Sequence, residues 1–223
     1  MSIKYDTKID EVRAKISELL NTIVIADERA LAAYNDHNSD TFLEVQKSLT
    51  NIESIGDIID NEIIKTFALY GPEANELRTL IVYLKMTNEI INIGSGIKKY
   101  ARRMKDHLAS DCNLKRLNTT IVQLHKSTID ALQYILDCFN TLPTCNVEDY
   151  YRKVMVEESK NDDLFAILEK DIMNSIIDEK ELATEYVKVL GTLRRLERSC
   201  DRSLNIATLM LYAKKGGKIS LYS

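Results

Sequence analysis

From residue 182 to residue 215, apolar or small side chains return every three or four positions: Leu182, Tyr186, Val189, Leu193, Leu196, Cys200, Ser203, Ala207 and Met210. This spacing lines them up along one side of a helix, which must therefore face a core. Helix breakers are scarce in the chain as a whole, with 7 Gly and 2 Pro in 223 residues, too few turn formers for an α/β or all-β protein of this length. The sequence predicts an all-α fold.

Five further stripes precede this one. The first, over 5–34, carries Val12, Ile16, Leu19, Leu20, Ile23, Ala26 and Ala30, and stops at the turn formers of 35–39. The second, over 40–69, carries Phe42, Val45, Leu49, Ile52, Gly56, Ile59 and Ile63 and ends at Gly71-Pro72. A third, over 73–107, includes Leu77, Leu80, Leu84, Ile90, Ile93, Ile97, Ala101 and Met104. After the polar turn 110–113 a fourth (Leu117, Ile121, Leu124, Thr128, Leu132, Ile135, Phe139) reaches Pro143, and Asn146 is placed to cap a fifth, with Tyr151, Val154, Phe165, Leu168 and Ile172. Six helices are expected, each antiparallel to the next because the turns are short.

The two halves of the chain resemble each other. Setting Gly94-Ser95 over Cys200-Asp201 also aligns Leu84 with Leu190, Ile90 with Leu196, Ala101 with Ala207 and Met104 with Met210. A repeat of half the chain length predicts two tandem three-helix bundles, over 1–109 and 110–223.

Charge and composition exclude several function classes. A net charge of −4 lacks the basic excess of a nucleic-acid-binding face. Cys112, Cys138, Cys145 and Cys200 fall at unpatterned intervals without a C-x-x-C motif, and they are read as buried free thiols. Neither a signal-peptide core nor an apolar run of about 18 residues is present, which makes a cytoplasmic, soluble protein the expectation. No nucleophile, base and orienting group cluster in sequence and no Gly-rich phosphate loop occurs, so no catalytic activity and no organic cofactor are expected.

Carboxylates carry the chemistry that remains. Glu197 and Asp201 stand one turn apart on the sixth helix, and Glu158 and Asp162 repeat the spacing on the fifth. The stripe of the fifth helix assigns 158 and 161 to its core side, where an unpaired carboxylate is costly. Both pairs lie about equally far from the turn at 178–180, which lets all four meet at one level across the helix pair. Carboxylates without histidine suit a hard cation, iron(III), manganese, magnesium or calcium, rather than zinc or copper. The alternative is an ordinary salt-bridged face, because Arg194, Arg195, Arg198 and Arg202 flank the second pair.

The segment 196–207, LERSCDRSLNIA, resembles the LERIGD-x-x-x-NIA signature of the PhoU family, and Pro72-Glu73-Ala74-Asn75-Glu76-Leu77-Arg78 resembles the turn before that family's third helix. The resemblance covers nearly the whole chain. It implies two similar three-helix bundles, dimerisation, and E(D)-x-x-x-D motifs able to hold iron or another metal. It also implies a regulatory role in phosphate homeostasis, as an adaptor between a phosphate ABC transporter and a sensor histidine kinase.

Carried over by position, the motif matches at Glu158, Asp162, Glu197 and Asp201. The first half departs from it: Ile91 and Ser95 replace the acids on the third helix, leaving Glu53 and Asp57 as weaker candidates. Other expectations compatible with the pattern are an accessory protein of a simpler phosphate permease and a carboxylate metal-binding or storage bundle.

Overall fold

A computed structural model describes residues 3–142 and 144–216; Pro143, the expected end of the fourth helix, lies outside the described residues. The chain forms α1 (Ile3–Asn35), α2 (Ser39–Ser48), α3 (Ile52–Tyr70), α4 (Ala74–Leu108), α5 (Asn118–Asn140), α6 (Val147–Asp178) and α7 (Ala183–Lys215), with 3₁₀ turns at Leu114–Arg116 and Lys180–Leu182. No strand occurs among the described residues.

The six expected rods are present, and the second is broken into α2 and α3. At the break the Ser48 and Thr50 hydroxyls donate to the carbonyls of Val45 and Gln46, competing with the helical ladder. The apolar spacing runs straight through, since Leu49 stays buried, and so periodicity alone does not reveal the interruption. α2 begins where the Asn38 side chain accepts from the backbone N–H groups of Asp40 and Thr41. α4 begins with a reciprocal capping box between Glu73 and Glu76. Asn146 precedes α6 as expected, but its amide donates to Asp149 at 2.6 Å and its side chain does not cap the backbone.

In the first half α1 and α3 pack against α4, with α2 covering α1 and α4; in the second, α5, α6 and α7 pack on one another. The halves join side by side through α4 against α7 and α1 against α5. Their buried apolar residues form one continuous core, from Val12 and Ile16 of α1 to Leu209 and Met210 of α7.

Polar pairs fix the seam. His125 of α5 and Asp27 of α1, both completely buried, are hydrogen-bonded at 2.6 Å, and the Tyr100 ring of α4 meets the imidazole edge-on at 4.9 Å. His107 of α4 pairs with the Thr192 hydroxyl of α7 at 2.9 Å.

The cysteines correct one expectation. Cys138 and Cys145 are joined as a disulfide, because the turn between α5 and α6 folds back and brings their Cα atoms to 5.5 Å. Cys112 and Cys200 are the buried free thiols.

The Asp27–His125 pair yields a stability prediction. Asp27 Oδ2 and His125 Nδ1 have no further partner among the described residues, so each group depends on the other. His125→Ala should destabilise the protein by roughly 3–5 kcal/mol, while Asp27→Leu/His125→Leu should recover much of that loss. Urea unfolding followed by circular dichroism measures both.

Candidate metal centre

α6 and α7 run antiparallel from the turn at 178–180, which brings the two E-x-x-x-D pairs to the same level. One carboxylate oxygen each from Glu158, Asp162 and Asp201 lie within 4.8 Å of one another. Glu158 and Asp201 are half-buried and Asp162 is exposed, so the group opens to solvent on one side. Two oxygens on opposite sides of a calcium-sized cation stand about 4.8 Å apart, and a smaller ion draws them closer. The donor set therefore fits a hard cation.

Glu197 is the exception among the four candidates. Its carboxylate lies outside the three-oxygen group, with Oε2 buried and without a hydrogen-bond partner among the described residues. Burial, followed by repulsion from Asp201, pushes Glu197 up to about 7. Burial also raises Glu158, helped by Asp162 and Asp201, and raises Asp201, helped by Asp162. Asp162 is raised by burial and then by Asp163. Every member is thus held in surroundings that disfavour its negative charge.

The flanking arginines offset this only in part: Arg194 and Arg198 favour the charged form of Glu197, and Arg202 and Arg198 that of Asp201, but burial and the neighbouring acids outweigh them. Arg194 reaches Glu169 at 3.4 Å and lies over the Phe165 ring, and Arg202 reaches Glu89 at 2.6 Å. No arginine forms an ion pair with Glu197 or Asp201 among the described residues, so the salt-bridged face is not what these acids form.

A buried amide aims α6. Asn161 donates through Nδ2 to the Leu124 carbonyl at 3.0 Å and to the Ser127 and Thr128 hydroxyls at 2.7 and 3.1 Å, all on α5. Thr128 in turn donates to the Leu196 carbonyl of α7 at 3.3 Å. With Asn161 locked to α5, Glu158 and Asp162 are turned toward α7. The stripe placed Asn161 on the core side, but its partners are more than thirty residues away and carry no sequence signal.

The weaker candidates of the first half are not brought together. Glu53 and Asp57 are exposed on α3, and no metal-sized group includes them among the described residues. The physical reason is Ile91, at the position matching Glu197: its side chain lies over Gly56, where any Cβ would overlap it. Apolar packing fills the helix contact in which the second half keeps acids.

Two PhoU domain matches span residues 16–104 and 121–210. The chain belongs to the PhoU domain family. It is 22% identical over 216 residues to the phosphate-specific transport system accessory protein PhoU of Escherichia coli (strain K12), covering 97% of this chain and 87% of that protein. The homolog of that protein from Aquifex aeolicus (strain VF5) is 21% identical over 220 residues, covering 96% and 94%. The crystal structure of PhoU from Pseudomonas aeruginosa superposes with a TM-score of 0.85 at 20% identity, covering 96% of this chain and 100% of that one. The phosphate transport system regulatory protein PhoU from Streptococcus pneumoniae superposes with a TM-score of 0.79 at 17% identity, covering 97% and 100%. The expected all-α fold with tandem repeats is borne out.

Two outcomes are expected. A hard cation at a hundredfold excess over its Kd should add about 2.7 kcal/mol of stability to the wild type and none to Glu158→Gln/Asp201→Asn, with Glu53→Gln/Asp57→Asn behaving as wild type. Melting temperature and bound-metal analysis with Fe³⁺, Mn²⁺ and Mg²⁺ read this directly. The second concerns pH in the metal-free protein. A raised carboxyl stabilises the fold below its unfolded value of 4.5, and that contribution is lost as pH rises through about 7. Across this window metal-free stability should decline more steeply in the wild type than in Glu197→Gln, as followed by chemical denaturation at a series of pH values.

Proposed function

We propose that this chain is an accessory and regulatory protein of a phosphate-specific transport system, acting without catalysis from the cytoplasmic side. The observation that carries the reading is the pair of PhoU domain matches along the chain, together with relatives named for that system that align over nearly its whole length. No helix among the described residues is long and apolar enough to cross a membrane, which agrees with a role exerted through protein partners. In this reading the partners are the phosphate ABC transporter and its sensor histidine kinase, and the chain, with its two bundles over 1–109 and 110–223, acts as a homodimer.

Glu158, Asp162 and Asp201 would hold a hard cation between α6 and α7, with Glu197 one turn along α7 from Asp201. A bound cation supplies positive charge that removes the mutual repulsion of these acids. Asn161 sets the rotation of α6 toward α7, and Thr128 ties the same network to α7 at Leu196. The carboxylates thereby make the α6–α7 surface responsive to metal.

Deleting the gene should raise phosphate uptake in phosphate-replete cells, and affinity capture from such cells should recover the transporter ATPase or the kinase. Unchanged uptake with neither partner recovered would favour the carboxylate metal-binding bundle instead.

A further inference from the structure

Along the seam between the halves, Asn92, Ser95 and Lys99 of α4 face Arg195, Arg198 and Arg202 of α7 across a cleft of about 160 Å3. Gly96 and Ser199 also line it. A Cβ at position 96 would stand 3.3 Å from the Ser199 hydroxyl, so glycine there lets the helices approach and brings both rows of side chains into one space. The Ser199 hydroxyl is engaged with the Arg195 carbonyl at 2.8 Å.

Charge in this cleft is one-sided. Among the described residues no carboxylate lines it, and of its cations only Arg202 has an acidic partner there, Glu89 at 2.6 Å. Lys99, Arg195 and Arg198 form no ion pair among the described residues. Arg195 is half-buried, and its Nε is shut from solvent with no acceptor among the described residues. This partly buried guanidinium, beside Arg198 and Lys99, receives no counter-charge from the protein among the described residues.

We infer that the α4–α7 cleft binds a small tetrahedral oxyanion of the phosphate class, held by Arg195, Arg198 and Lys99 with Ser95 and Asn92 as neutral donors. The planar fork of arginine matches two oxygens of such an anion, and charge-assisted hydrogen bonds of this kind are the strong ones. The cleft is well below the 300–1,000 Å3 typical of pockets for larger organic ligands, so it accommodates a phosphate or the phosphoryl end of a larger molecule. Residues from both halves surround the anion, which therefore clamps the seam. The inference stands on the arrangement of cations, independently of the transport role.

The test is isothermal titration of the metal-free full-length chain with sodium phosphate and, separately, with ATP. Saturable binding of at least one of them, at one site per chain, is expected. Arg195→Gln/Arg198→Gln should weaken it by about tenfold or more. Lys115→Gln/Arg116→Gln, which removes two charges from the 3₁₀ turn outside the cleft lining, should leave it within about twofold. If the double arginine variant melts early, Lys99→Gln on the opposite wall replaces it and should also weaken binding. Tighter phosphate than ATP identifies the free anion as the ligand, and tighter ATP a phosphorylated molecule. Absence of saturable binding by the wild type, or an equal loss when the charges of the 3₁₀ turn are removed, overturns the inference.

Discussion

The close approach of α4 and α7 is the contact on which the remaining structure depends. α7 packs against α4, α5 and α6, and its stripe from Tyr186 to Met210 is buried almost without a break. Once that stripe is committed to the core, the two flanks of the helix have no freedom left. Glu197 and Asp201 are turned toward α6, and Arg195, Arg198 and Arg202 toward α4. Hydrophobic burial, which has no direction of its own, sorts acidic from basic side chains along a single helix because the helical period fixes every residue relative to the stripe.

That same period explains what could be read from the sequence. The six helical rods, the positions of most turns, the repeat and the facing of 158 and 162 toward 201 all follow from spacing within one segment or between adjacent antiparallel segments. The features that escaped depend on something else. The break after Ser48 is a local contest for backbone carbonyls, invisible to an apolar pattern that continues through Leu49 to Ile52. The Cys138–Cys145 bond depends on how the α5–α6 turn folds back, which seven residues of separation do not dictate. The alternative of a salt-bridged face pairs the α7 arginines with the acids beside them in sequence, whereas Arg202 finds its acid on α4, at Glu89, more than a hundred positions away.

The two repeats resolve the same helix contact in different ways. In the second, acids and a buried amide occupy the α6–α7 crossing, each in an unfavourable environment: Glu197 loses solvation at Oε2, and Asn161 Oδ1 has no donor among the described residues. In the first, Ile91 seats on Gly56 and the contact is apolar. The apolar solution favours a rigid helix pair. The polar one leaves a crossing whose stability depends on what binds there, an arrangement expected of a functional surface.

The continuous core sets a limit on how the molecule can be divided. Counted by sequence repeats it is double, but counted by what must be kept from water it is single. Each half supplies a wall for the other: severing the chain at 109/110 would lay bare Asp27 and Tyr100 on one side and His125 and Thr192 on the other. Duplication thus produced an object that no longer comes apart along the line on which it was copied. The buried Asp27–His125 hydrogen bond lies across that line and ties α1 of one repeat to α5 of the other.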